Sequence, residues 1–335
     1  MHKPKTLITG VSGFVGTKLA RKLLTDGHEV IGVDLKPCKE LEGIHDYQFQ
    51  EVDLTSWNSV DQLKLSGLDH VVHLAAAGVK AAGRQWPICV RVNIEGTANL
   101  VRKLLSEVER LEDTTVEREE GSHEFTNIPP LELQTRTPPS AKRVVPLFLY
   151  TKTWYEDHLE ECEAFRENPY VVTKHAATKW IEALASLYPG SVAIAKVFQV
   201  YGPGDDPNNV LSYAARCIKN GEPATFGSGT QLRDWIYIDD FINGLVACLS
   251  FENNGLSHFD LGSGELHSLG EMIEILAELT LVGPTSKTSR PQLTFDVTKD
   301  RGDSKITDYA QQYPQNWSAM ININQGLFHL LSSIV

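Results

Sequence analysis

The sequence is short of several things, and each shortage removes a class of protein. Its 335 residues hold five cysteines (Cys38, Cys89, Cys162, Cys217 and Cys248), an odd number, scattered and without a C-x-x-C pair. That pattern speaks against a disulfide framework or a structural zinc site and fits reduced thiols. No apolar run approaches the length of a membrane span. No secretory signal is evident, since Met1-His2-Lys3-Pro4-Lys5 leads directly into a strand pattern, and the expected location is the cytoplasm. Basic charge is scarce: 31 Lys and Arg stand against 43 Asp and Glu, for a net charge of −12 and a pI near 5.4. Nucleic acid and anionic membranes are therefore poor candidates as bulk partners. His73, His158 and His175 come without an H-x-x-x-H spacing or a carboxylate cluster, so no metal site is expected. There is also no internal repeat. What remains is an ordinary globular composition, 41% apolar and 22% charged, long enough for one large α/β domain or two smaller ones.

The chain is organised around its first strand. Lys5-Thr6-Leu7-Ile8-Thr9 runs into Gly10, Gly13 and Gly16, and an amphipathic run to Leu24 follows. A strand, a glycine turn and a helix start can set a pyrophosphate on free N–H groups at the positive end of the helix dipole. The three glycines would serve a tight turn, a close backbone approach and close helix–strand packing. The spacing is G-x-x-G-x-x-G, and alone it is also compatible with a glycine-rich surface turn.

Strand and helix patterns then alternate. Strands are predicted over 29–33, 47–52, 69–74, 144–150 and 192–198, and helical periodicity runs over 87–109 and again from Tyr170 to Leu187. Such alternation predicts a Rossmann-like, doubly wound parallel sheet. A polar, proline-punctuated stretch at 111–142 reads as an insertion. Residues 1–200 form the expected dinucleotide-binding domain. Residues 201–335 read mainly as a smaller, mixed α/β C-terminal substrate lobe, with a return to the sheet between 230 and 262.

Asp34 closes the second strand, 18 positions after Gly16. An acid there can accept hydrogen bonds from the adenosine ribose and opposes a 2′-phosphate, which favours NAD over NADP; Lys36, two residues on, works the other way. Asp53-Leu54 offers an adenine contact. Tyr170 and Lys174 stand at i, i+4 on one helix face. An ammonium beside a phenol stabilises the phenolate and lowers the tyrosine pKa, which makes Tyr170 a usable general acid/base. Taken alone, Y-x-x-x-K is common on helices and usually carries no function.

Seven segments in order give these residues a common setting: Thr9-Gly10-Val11-Ser12-Gly13-Phe14-Val15-Gly16, Asp34, Asp53-Leu54, His73-Leu74-Ala75-Ala76, Asn93-Ile94-Glu95-Gly96-Thr97, Tyr170-Val171-Val172-Thr173-Lys174 and Tyr201-Gly202-Pro203. Together they resemble the extended short-chain dehydrogenase/reductase family in its nucleotide-sugar epimerase/dehydratase branch, from residue 5 to about 250. The resemblance implies NAD contacts at Gly10, Gly13, Phe14, Val15, Gly16, Asp34, Asp53, Leu54, Leu74, Ala75, Ala76, Lys80, Asn93, Tyr170, Lys174 and Val197. It implies a catalytic hydroxyl at Thr151, with Thr153 as the second candidate, because Tyr150-Thr151-Lys152-Thr153-Trp154-Tyr155-Glu156 aligns with the family's Ser-Ser-x-x-Val-Tyr-Gly-like segment. Substrate contacts are implied at Lys80, Thr153, Gln199, Asn209, Arg233 and Arg301, with Arg233 clamping a diphosphate. The branch's dehydratases carry Asp-Glu after the catalytic hydroxyl, where this chain has Lys152-Thr153, so a dehydratase is not expected. Gly78-Val79-Lys80-Ala81 is similar to a segment of sugar 4-epimerases, while Gln199 and the Thr-Lys-Thr-Trp segment are closer to 4-ketoreductases. The resemblance thus implies an enzyme acting on a nucleotide-diphosphate sugar, either a C4 epimerase or a 4-ketoreductase. A homodimer through the helices near 88–109 and 170–187 is also implied. A non-catalytic dinucleotide sensor of the same fold is the reading from another class.

Overall fold

The computed structural model describes residues 2–113, 145–251, 255–281, 292–300 and 302–334. Arg301, and the expected insertion beyond Asp113, lie outside them. The strands are β1 (Lys5–Thr9), β2 (Glu29–Asp34), β3 (Tyr47–Glu51), β4 (His70–His73), β5 (Leu147–Thr153), β6 (Ser191–Val197), β7 (Gln199–Tyr201), β8 (Ala224–Phe226), β9 (Leu232–Tyr237), β10 (Gly255–Leu261), β11 (Leu266–Ser268) and β12 (Leu293–Phe295). The helices are α1 (Phe14–Thr25), α2 (Trp57–Val60), α3 (Trp86–Cys89), α4 (Thr97–Asp113), α5 (Glu163–Arg166), α6 (Pro169–Leu184), α7 (Val210–Asn220), α8 (Ile238–Leu249), α9 (Leu269–Leu279) and α10 (Ile323–Ser333). Among the described residues no helix is long and apolar enough to cross a membrane.

Seven strands make one parallel sheet in the order β10-β6-β5-β4-β1-β2-β3. Both faces are covered, so the inner strands are mostly apolar and buried, while the edge strands β3 and β10 carry polar residues. Leu7 and Ile8, adjacent on β1 and fully buried, belong to the cores on opposite faces. Leu7 packs with the core that takes in Leu100, Leu104 and Ile181 of α4 and α6, and Ile8 with the one that holds Leu19 and Leu23 of α1 and Leu245 of α8. Full burial of each such side chain stabilises the fold by about 2 kcal/mol. The sheet order reverses between β1 and β4, the place where ligands sit in open α/β sheets. Two small sheets, β11-β9-β7 and β12-β8, stand beyond the C-terminal ends of the strands.

Two local differences from the periodicity matter. β5 continues to Thr153, three residues past the predicted end, because Thr151 to Thr153 pair with Ala195 to Val197 of β6. The predicted helix over 87–109 is not continuous: Val90–Gly96 is a π-helical turn between α3 and α4. This wider turn carries Asn93 inward, fully buried, where its amide donates to Ala77 O at 3.0 Å and Thr173 Oγ1 at 2.9 Å and accepts from Ala77 N at 2.7 Å. Such turns concentrate at functional sites.

Candidate active site

The glycine turn has the geometry that its residue types predict. Gly10 is left-handed (φ +72°), and a Cβ there would lie 2.8 Å from Ala75 N. At Gly16 a Cβ would lie 2.2 Å from Gly10 O and 2.7 Å from Val11 Cα, so the helix rests on the turn through bare backbone. Gly13 is the N-cap of α1, with no side-chain cap and no acid in the first turn, and leaves the first N–H groups of the helix free for an anion. Asp34 holds this turn: its Oδ2 accepts from Ser12 N at 3.0 Å and its Oδ1 from Leu35 N at 2.7 Å. Asp53, two strands away, accepts from Thr55 N and Thr55 Oγ1 through one oxygen.

Behind the turn, His73 ties β4 to its neighbours. Thr97 Oγ1 donates to Asn93 O, so it accepts from His73 Nε2 at 2.9 Å; Nδ1 then accepts from Thr9 Oγ1 at 2.7 Å. The ring is therefore the neutral Nε2–H tautomer, and burial lowers its pKa to about 3. His70 is lowered to about 4 for the same reason. Unfolded histidine takes a proton near pH 6.5 and these two do not until pH 3–4, so the unfolded state binds more protons across that window and stability falls as pH falls through it. By pH 4.5 His73 alone should remove about 2–3 kcal/mol. Urea midpoints measured between pH 7 and 4.5 check this, and a flat profile would contradict it.

A cleft of about 620 Å³ opens between the sheet ends and the small sheets. Phe14, Val15, Leu74, Ala76 and Val197 line it on the dinucleotide side, and Thr151, Thr153, Tyr170 and Lys174 line its interior. Gln199, Asn209 and Arg233 line it toward the small sheets. In an acidic protein it gathers five cationic side chains, Arg84, Lys152, Lys174, Arg233 and Lys299, against the acids Asp205, Asp300 and Asp303. Gly78 (φ +86°) lets the loop after β4 pass over Tyr170, since a Cβ there would meet Tyr170 Cβ at 3.0 Å.

Tyr170 and Lys174 come from the first turns of α6, which begins at the Asn168 cap and Pro169. The Lys174 ammonium donates to Thr151 O at 2.6 Å and lies 3.9 Å from the Tyr150 ring centroid. This corrects one expectation. The lysine is directed at the end of β5 and does not lower the tyrosine pKa here: burial, with Glu156 and Tyr155 nearby, holds the Tyr170 phenol above its ordinary value. Burial also pushes Lys174 down, to about 8, against the pull of Glu156. Thr153 is buried in a capping box with Glu156.

Three of the expected contacts stand differently from a free ligand-binding group. Asn93 is taken up by Ala77 and Thr173 behind the cleft wall and does not line the cleft. Lys80 is turned outward, paired with Asp206 at 2.8 Å across the loops after β4 and β7. Arg233 does line the cleft, but its guanidinium donates to Leu232 O, Ile306 O, Asp303 O and, at 2.7 Å, Asp303 Oδ2. The next residue on β9, Asp234, points the other way and accepts from Ser263, Gly264 and Ala310. Arg84 had no motif to mark it, and Glu156 ended an aligned segment without a role of its own; only the fold brings them to Tyr170.

A parallel sheet with a glycine turn at its point of reversal and a tyrosine–lysine pair in the adjoining cleft defines a dinucleotide-dependent enzyme of Rossmann-like fold. The chain belongs to the NAD dependent epimerase/dehydratase family, whose model matches residues 6–262. It is 30% identical to the UDP-glucuronate 4-epimerase of Thermodesulfobacterium geofontis, over 96% of this chain and 93% of that one. It is 23% identical to the UDP-glucose 4-epimerase of Mycolicibacterium smegmatis, over 96% of each. Among solved structures it resembles the UDP-glucuronic acid 4-epimerase of Bacillus cereus in complex with UDP-glucuronic acid and NAD, with a TM-score of 0.71, 22% identity and 98% of both chains covered. The cofactor is NAD, and the bare-backbone cradle of Gly10, Gly13 and Gly16 fits a dinucleotide pyrophosphate.

Proposed function

We propose that this chain interconverts the C4 epimers of a UDP-linked hexose or hexuronic acid. The observation that carries the reading is the convergence of Thr151, Tyr170 and Lys174 on one wall of a cation-rich cleft whose far side presents Arg233. The two curated 4-epimerases aligned over nearly the whole chain support it.

In this reading Gly10, Gly13, Gly16 and Asp34 hold NAD, with Asp34 favouring the unphosphorylated ribose, and Leu74, Ala76 and Val197 wall its inner end. Bound NAD supplies the oxidant for C4 and, once the sugar has turned over, the reductant. Tyr170 takes the proton of the C4 hydroxyl and returns it. Lys174 fixes the end of β5 through Thr151 O. The Thr151 hydroxyl orients the sugar oxygen, Gln199 and Asn209 line its approach, and Arg233 meets the diphosphate, for which a guanidinium fork is suited. The pairing of two chains through α4 and α6 belongs to the same reading.

The test is incubation with UDP-glucose and UDP-glucuronic acid, followed by NMR of the sugar ring. The expected result is a mixture of C4 epimers with no net change in nicotinamide absorbance. Stoichiometric consumption of reduced cofactor by a 4-keto sugar would overturn the epimerase in favour of a ketoreductase, the reading that Gln199 supports.

A further inference from the structure

One strongly buried acid has no part in the chemistry described so far. Glu156 is 2% exposed and Lys174 4% exposed, and both reach the end of β5. Glu156 stands where the resembling segment of the family carries glycine. Its Oε1 accepts from Thr153 N at 2.8 Å and its Oε2 from Thr178 Oγ1 at 2.6 Å. Thr178 follows Lys174 by one helical turn on α6, so the two present the same face. Lys174 grips the strand end at Thr151 and Glu156 grips the helix one turn lower, from three residues after β5.

We propose that Glu156 is a positioning residue whose buried carboxylate locks the end of β5 to the catalytic helix and keeps Lys174 an ammonium. The inference rests on reading Tyr170 and Lys174 as the reacting pair. A buried ammonium with only a carbonyl and a ring for company is costly, and a nearby carboxylate offsets that cost. Lys174, Tyr170 and Lys179 face Glu156 from α6, and Tyr150 and Lys152 face it from β5. Tyr170 is faced in addition by Tyr155, by Arg84 from the loop after β4 and by Cys89 from the end of α3, while His73 faces Lys174 from β4. Glu156 is the one acid among these groups, and its field raises Lys174 while burial lowers it.

The experiment follows the ε-carbon of Lys174 through a pH titration of the NAD-bound protein, with ¹³C-labelled lysine and Lys174→Met to assign the signal. Glu156→Gln should move the Lys174 midpoint down by about half a pH unit or more, a threefold or larger change in ammonium fraction on the slope. Glu156→Gly removes the same charge and should move it the same way, which covers the case in which the amide variant does not fold. Thr178→Val cuts the tie but leaves the charge, and should leave the midpoint in place. A midpoint unchanged in the charge-removing variants, or moved as far by Thr178→Val, would overturn the proposal. The alkaline limb of the epimerisation profile, where an ammonium needed for activity is lost, should shift in the same direction as the lysine. If the wild-type protein epimerises no nucleotide sugar, the reaction reading fails, while the lysine titration still decides the role of Glu156.

Discussion

Tyr170→Phe is expected to lower epimerisation about a thousandfold while leaving NAD content and thermal stability near wild type. The size follows from what a positioned acid/base contributes, a factor of about 10²–10⁴. The phenol oxygen is the atom that matters, because the ring stays to fill the space beneath Gly78. Among the described residues its hydroxyl anchors no element, so the loss should appear in kcat with little change in KM. The measurement is steady-state epimerisation beside the NAD content of the purified protein. A variant that keeps a tenth or more of the activity would remove Tyr170 from the chemistry and with it the reading of the cleft.

Gly16→Ala should act on the cofactor and on the fold together. A methyl group there would overlap Gly10 O and Val11 Cα, both backbone atoms that no rotamer change can clear. Either α1 lifts from the turn or the turn deforms, and each outcome spoils the cradle. A destabilisation of about 3 kcal/mol is expected, with loss of bound NAD. Gly13→Ala is the instructive comparison, because its closest contact would be Gly10 O at 3.2 Å, a distance that small shifts can relieve. Urea midpoints should therefore fall well below wild type for Gly16→Ala and only slightly for Gly13→Ala. Equal stability losses would mean that the helix–turn contact is not what requires glycine at 16.

The main sheet was legible because local pattern and global position coincide there. Apolar runs separated by helical periods leave few topologies, and a glycine turn after the first strand marks the point of reversal. Tyr170 and Lys174 were legible for a similar reason, since i, i+4 spacing fixes their relative placement whatever packs around them. The rest depended on partners distant in sequence. Glu156 sits in an acidic run with Asp157, Glu160 and Glu161 that reads as a solvated face. It is buried only because β5 extends and the chain turns back against α6. Asn93 was marked by its motif, but the inward turn of its amide comes from a π-helical widening that apolar periodicity does not encode. The pairing of β8 with β12 joins residues 224–226 to 293–295, with no local signal for either partner.

In the proposed reading, where Arg233 meets the diphosphate, its ion pair with Asp303 gives recognition the character of an exchange. Four guanidinium N–H bonds already have oxygen acceptors, one of them a carboxylate of this chain. An incoming anion that engages this arginine must outbid a tethered competitor, not fill a vacancy. A group of single, diffuse charge gains little by that trade, whereas a diphosphate brings more charge and more acceptor atoms than the aspartate it replaces. The same carboxylate keeps a nearly buried cation neutralised between turnovers. On that reading Asp303 is a weak surrogate for the ligand, and a free sugar has nothing with which to dislodge it.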